Sequence, residues 1–257
     1  MIRNEQDMLE EALQNHIKFC DAIFVLDGTE GEGGRISEEI CRSFSKVYGY
    51  WADRDTGYAR PLRDGARQFL LEKAREKLGS NNWVAILHGD EIWGQNPRLY
   101  LNLNPPEPEG LSVDLYHFFP HVSERNSWDF REGVTLIETM SKWYMYPPII
   151  EHRLFYDSGN KNFDVNRHSK VLPEDISDSH SDIIVKQYNY RSPQQAYRRA
   201  VQRRDCRWQY NHYQHLLDGP KGFFVETLAC DSHQWAAMVP VGEGEARNLA
   251  NHPLPSL

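Results

Sequence analysis

Long apolar runs are missing from this chain of 257 residues. No stretch approaches the roughly 18 residues that a membrane-crossing helix needs. The opening, MIRNEQDMLEE, is charged almost at once and has no apolar centre of the kind a secretion signal carries. Cysteine is scarce, with four residues at 20, 41, 206 and 230. No two of them stand in a C-x-x-C spacing, which argues against a zinc knuckle or a dithiol redox pair. Scattered free thiols fit a reducing compartment, so a soluble, cytoplasmic protein is expected. Positive charge is not in excess either: 29 Lys and Arg against 37 Asp and Glu give a formal net charge of -8. That balance disfavours wholesale nucleic-acid binding. No internal repeat is visible.

What is present is an ordinary globular balance, 40% hydrophobic and 26% charged. The length suits one large domain, or a core with an appendage. Aromatic residues reach 12%, which suits a sugar-handling surface and equally a well-filled core.

The first 90 or so residues alternate in character. Residues 6–19 place Met8, Leu9, Ala12, Leu13 and Ile17 on one helical face. Asn4 is the expected cap of that helix, with Asp7 as a weaker capping-box partner. The run AIFVL (22–26), closed by Asp27 and Gly28, reads as a buried parallel strand. A second helix is expected over 37–48. The clearest helix covers 62–79, with Leu62, Ala66, Phe69, Leu70, Ala74 and Leu78 along one side and Gly79 at its end. WVAIL (83–87) is the next strand. Strands alternating with helices indicate a parallel α/β sheet, and such sheets bind ligands beyond the carboxyl ends of their strands. Asp27 and Asp90 both follow such ends, so one rim is expected to hold both.

Beyond residue 94 the texture changes. Residues 102–110 form a Pro- and Gly-rich loop, and strands are expected over 113–119, 143–150 and 151–157. An acidic loop follows at 171–182, then a strand at 183–190. A helix starts at Ser192-Pro193, with Ser192 as N-cap, and runs to 204. The tail, 241–257, is polar and is expected to be poorly ordered.

Two stretches carry chemistry. In VAILHGDEIW (84–93) an apolar strand stops at His88-Gly89-Asp90-Glu91, and an imidazole with two carboxylates beside a glycine can hold a cation. In VLDGTEGEGG (25–34) a strand meets an acidic, Gly-rich turn. Its glycines do not fit G-x-G-x-x-G, and Glu30 and Glu32 would repel a diphosphate. A methyl-donor-dependent methyltransferase using this turn is therefore only an alternative.

With these pieces in order, the chain resembles the family 2 glycosyltransferases of the GT-A fold, in their bacterial form. Arg3-Asn4-Glu5 before a helix looks like the family's opening R-N-E. VLDGTEG (25–31) looks like the strand and turn that hold the nucleobase and ribose. GARQFLLEKAREKLGSNNWVAILHGDE (65–91) looks like the helix, strand and D-x-D-E run that carries the metal. KQYNYRSPQQAYRR (186–199) looks like the late H-Y-x-x-R-S-x-x-Q segment, and RLFYD (153–157) matches faintly.

The resemblance implies a Rossmann-like α/β fold: a mostly parallel sheet with helices on both faces and an irregular C-terminal acceptor half. It divides the chain into a donor half (1–94), an acceptor half of the same domain (95–240) and the tail. It implies transfer of a sugar from a nucleotide-diphosphate donor to a glycan or lipid-linked acceptor, metal-dependent and inverting, in bacterial surface glycan or glycoconjugate synthesis. The cofactor would be Mn2+ or Mg2+. Donor and metal contacts fall on Asn4, Glu5, Asp27, Arg67, His88, Asp90, Glu91 and Arg191, with Arg63 an alternative to Arg67. Asp90 would ligate the metal directly, and His168 is a second candidate ligand. An inverting transfer needs a carboxylate to take the acceptor proton, and the candidates are Glu174, Asp175 and Asp114.

The chain also departs from the pattern. His88 stands where the family has the first carboxylate of D-x-D, Gln187 where a His is frequent, and Ser169 where an acid follows the His. A non-catalytic nucleotide-sugar-binding relative is the main alternative. Only Met1 and Ile2 precede Arg3, so the first strand is expected to be very short or absent. Arg191, Arg198, Arg199, Arg203, Arg204 and Arg207 crowd one stretch of an otherwise acidic chain. They suit a solvated helix with Tyr197 and Val201 packing inward, or a diphosphate clamp with peripheral membrane contact.

Overall fold

The computed structural model describes residues 1–52, 64–101, 109–126, 143–146, 148–164, 173, 176–203, 223–224 and 237–240. In chain order the elements are α1 (Leu9–His16), β1 (Ile23–Asp27), α2 (Gly31–Ser43), β2 (Val47–Ala52), α3 (Asp64–Leu78), β3 (Asn82–Ala85), β4 (Glu91–Trp93) and α4 (Arg98–Leu101). There follow β5 (Gly110–Phe118), a 3-10 turn (Val122–Glu124), β6 (Trp143–Tyr146), β7 (Ile149–Asp157), β8 (Asp178–Tyr188), α5 (Pro193–Arg203) and β9 (Ala237–Pro240). The chain forms two compact units, Met1–Asp114 with Ile150–Val185, and Leu115–Ile149 with Lys186–Leu257. Each unit is made of two separate segments of the chain, and β5 and β8 each contain residues of both. The tail at 241–257 lies outside the described residues.

In the first unit β1 and β2 pair in parallel, from Ile23↔Val47 to Asp27↔Ala52. Successive side chains of β1 point to opposite faces. Ile23 and Val25 therefore join Leu9, Leu13 and Cys41, from α1 and α2. Leu26 packs on the other face with Ala66, Phe69 and Leu70 of α3 and with Trp51. Helices thus cover both faces of this pair. Each such apolar side chain contributes about 1.5–3 kcal/mol on burial. Further along α3, Leu71 packs on Phe155 and Phe163. Arg75 donates to both carboxylate oxygens of Asp157 (2.9 and 2.6 Å), fixing α3 to β7.

The α/β class is as expected, but the sheet is mixed. β3 runs antiparallel to β7, from Asn82↔Asp157 to Ala85↔Leu154. In the second unit β6 is antiparallel to β5 at Phe118↔Tyr144 and to β9 from Trp143↔Pro240 to Tyr146↔Ala237. A strand's own pattern reports burial and not direction, which depends on a partner far away in sequence. Among the described residues no helix is long and apolar enough to cross a membrane.

Several expected boundaries move. The first helix is Leu9–His16, without a side-chain cap. Asn4 lies instead at a left-handed φ of 56°, a conformation that Asn tolerates better than most residues. The helix expected over 37–48 begins earlier and ends at Ser43, and Val47 onward forms β2. Its β-branched and aromatic residues suit a strand. The acidic loop expected to reach 182 gives way to β8 at Asp178. α5 starts as expected, with the Gln195 N–H donating to Ser192 Oγ (3.1 Å). On α5 it is Ala196 and Ala200 that pack inward, while Tyr197 and Val201 are exposed.

The first strand is reduced to one bridging residue, Ile2, parallel to Asp27. Its N–H donates to the Leu26 carbonyl, and its own carbonyl accepts from the Gly28 N–H, both at 3.0 Å.

Candidate functional site

β3 delivers the chain into His88-Gly89-Asp90, and β4 begins at once with Glu91. The loop rests on α1. The Trp93 N–H donates to Asn15 Oδ1 (2.8 Å), and Asn15 Nδ2 donates to the Trp93 carbonyl (3.1 Å). The Asn15 amide thus acts as a stand-in strand partner for β4. His16 is buried beside it and makes a backbone hydrogen bond to Glu91. Burial is the main cause that pushes the His16 imidazole down to about 4, so it is neutral at pH 7.

His88, Asp90 and Glu91 each offer a ligand atom within 4.8 Å of the others, and they form a group that can hold a metal ion. Their roles differ. Glu91 is fully buried, and its Oε1 accepts from Nη2 of Arg153 at 2.6 Å and lies 3.0 Å from His88 Nδ1. Its Oε2 faces the His88 N–H at 3.3 Å. Burial pushes the Glu91 carboxyl up, but the Arg153 guanidinium and His88 outweigh it and hold it at about 2. Glu91 is therefore an ionised clamp on the loop. A carboxylate only accepts, so the Nδ1 contact puts the proton of a neutral His88 ring on Nδ1 and the lone pair on Nε2. That nitrogen stands 3.3 Å from Arg153 Nη1. Asp90 is buried and has the hard oxygens a divalent ion prefers.

Gly89 lets the opening segment close over this loop. A Cβ there would sit 2.6 Å from Glu5 Oε2 and 2.9 Å from Ile2 Cγ2. Ile2 thereby touches both strand ends, since it also bridges to Asp27. Asp27, the last residue of β1, and Gly89 of the loop after β3 both lie against Ile2.

Asp27 is buried, its Oδ1 accepting from the Thr29 N–H (2.7 Å) and its Oδ2 from the Tyr50 hydroxyl (2.6 Å). Burial raises its pKa, and the two hydrogen bonds oppose that rise. Asp27 organises the turn, and the Asn4 N–H closes it by donating to Thr29 Oγ1 (2.7 Å).

Of the other expected residues, Arg67 lines a cavity together with Met1, His88 and Gly89. Asp114 is buried, and its Oδ1 lies 2.8 Å from Nε2 of the half-exposed His180, forming a carboxylate–imidazole pair. Arg191 belongs to the second unit, where its guanidinium donates to the Tyr188 carbonyl (2.7 Å). Glu174, Asp175, His168, Arg63 and Ser169 lie outside the described residues. Gln187 is buried in β8.

Sequence reasoning did not single out Asn15, His16, Tyr50 or Arg153. Arg153 left a trace: a guanidinium inside the strand EHRLFYD (151–157) demands a buried acid. Asn15 and His16 sit on the apolar side of α1 with nothing local to mark them. No family model matches the chain, and no curated protein matches it.

Proposed function

We propose that this chain is a metal-assisted glycosyltransferase that moves a sugar from a nucleotide-diphosphate donor to an acceptor hydroxyl, in the manner of a GT-A enzyme. One observation carries the reading: a buried Asp27 and a potential metal-holding loop flank the same residue, Ile2, at adjoining strand ends. Ligands of α/β sheets bind at such ends, and both stretches are among the four that carry the family resemblance.

The residues present fit a divalent cation. Asp90 and His88 would hold Mn2+ or Mg2+, which would neutralise charge growing on the leaving diphosphate. An imidazole ligand favours Mn2+ over Mg2+. Glu91 orients His88 and Arg153 fixes Glu91, as outer-shell partners commonly do. The turn held by Asp27, Thr29 and Tyr50 would seat the nucleoside. Of the three carboxylates expected to take the acceptor proton, Asp114 alone is described, already bonded to His180. The acceptor is a glycan or a lipid-linked sugar, and the products suit surface glycan synthesis.

A non-catalytic nucleotide-sugar-binding protein is the second reading. It is favoured by the commitment of Glu91 to Arg153, which leaves fewer free carboxylates for an ion.

A thermal-shift screen tests the first reading. Ligand bound to the native state raises the melting temperature. A nucleotide diphosphate is expected to raise it by several degrees with Mn2+, less with Mg2+, and not at all in Asp90→Asn. No shift with any nucleotide, with or without metal, would overturn both readings. Binding without donor turnover would select the second.

A further inference from the structure

The two sides of α2 (Gly31–Ser43) differ in character. Ser37 and Cys41 are buried, and Cys41 packs in the core with Leu13 and Val25. The other side carries Glu32, Arg35, Ile36, Glu39 and Arg42, all exposed. Their spacing of three or four residues puts them in one stripe along the outer face. Arg35 pairs with Glu32 and with Glu39, and Arg42 pairs with Glu38 at 2.6 Å. The four charged side chains of the stripe are between 58% and 69% exposed. Ion pairs this open to solvent contribute little stability, so they exchange partners at little cost.

Read backwards, the stripe is its own complement in charge. Ser37 marks the centre. Glu32 stands five residues before it and Arg42 five after, while Arg35 stands two before and Glu39 two after. Each charge therefore has the opposite charge at its mirror position. A second α2 laid antiparallel, with its Ser37 level with the first, sets Glu32 against Arg42 and Arg35 against Glu39. A two-fold axis repeats both contacts, giving four ion pairs between the helices. Packed helices lie about 8–10 Å apart, a gap that Arg and Glu side chains span. Ile36 is next to the centre, so its two copies meet beside the axis, an apolar middle between charged ends. A parallel copy would set Glu32 against Glu32 and Arg35 against Arg35, and like charges facing each other disfavour it.

We propose that α2 is a self-association surface, through which two copies of this chain pair antiparallel about a two-fold axis beside Ser37. The occupant is a second copy because the match is of the stripe with itself, at both mirror pairs. One helix pair is a small contact, and the net charge of -8 opposes the approach of two copies. The dimer is therefore weak and forms reversibly. This inference is independent of the transferase reading.

Sedimentation equilibrium of the full chain over a rising concentration series tests it. The average mass is expected to climb from that of one chain towards that of two. Arg35→Glu sets acid against acid at its mirror pair, and Glu39→Arg sets base against base, so each alone should weaken association by about tenfold or more. Mixed in equal amounts, the two variants complement each other and should associate as the unaltered chain does. Arg35→Glu and Glu39→Arg combined in one chain should also associate. The combined variant keeps opposite charges at 35 and 39 within the helix, so it keeps the test decisive where a single variant loses its fold. A mass that stays at one chain throughout the series would overturn the proposal. Association unchanged in either single variant would do so too, as would a mixture no heavier than its components or a combined variant that stays monomeric.

Discussion

At the scale of single residues the site is an exercise in burying charge. Arg153 is 1% exposed and Glu91 is fully enclosed, and the two meet at 2.6 Å. Such pairs contribute little net stability but are costly to break. Arg153→Ala strands an anion in the interior, and urea denaturation is expected to show a loss of about 3–5 kcal/mol. The paired replacement Arg153→Met with Glu91→Leu should recover most of that loss. His16 gives the pH dependence. Its folded pKa, about 4, lies below its ordinary value of 6.5. The unfolded chain therefore binds the extra proton between those values, and stability falls as pH falls through that window. The His16 contribution is complete above pH 6.5 and lost progressively towards pH 4. Urea midpoints at pH 5 and pH 7.5 should differ less in His16→Gln than in the unaltered chain.

At the scale of elements, α1 does more than pack. Through Asn15 it supplies two hydrogen bonds to β4, which also pairs with β8, and β4 carries Glu91 next to Asp90. Asn15→Ala leaves a buried N–H and a buried carbonyl of Trp93 unmet, at about 1–3 kcal/mol each. A stability loss of about 2–6 kcal/mol is expected, with faster hydrogen exchange at the Trp93 amide. Unchanged exchange there would show that α1 does not position the loop. Which stretches form elements was legible at this scale, because β1, α3 and α5 are set by local periodicity and capping. Element ends were less legible. Asn4 looked like a cap, yet the folded chain uses its backbone to close the Asp27 turn. β2 was hidden because the helix expected over 37–48 took in its first two residues, and its parallel partner β1 lies more than twenty residues earlier.

At the scale of the whole molecule, net charge and local charge disagree. The chain carries a formal charge of -8, yet α5 presents Arg198 beside exposed Tyr197 and Val201. An exposed aromatic and an aliphatic next to a cation suit an anionic lipid surface better than they suit nucleic acid. Sedimentation with vesicles containing anionic lipid is expected at low salt and should disappear at about 0.5 M salt, where the Debye length is only a few ångströms. No sedimentation at low salt would remove the membrane contact.

The sequence by itself determined that a strand ends at Asp27, that another ends before His88-Gly89-Asp90-Glu91, and that helices flank them. Periodicity, glycine and caps act over a few residues, so one chain segment suffices to read them. The tertiary structure decided strand direction, the Arg153–Glu91 pairing and the support from Asn15. The last two join groups 62 and 78 residues apart, and only burial, which makes an unmet charge or peptide group costly, selects one such partnership over the others.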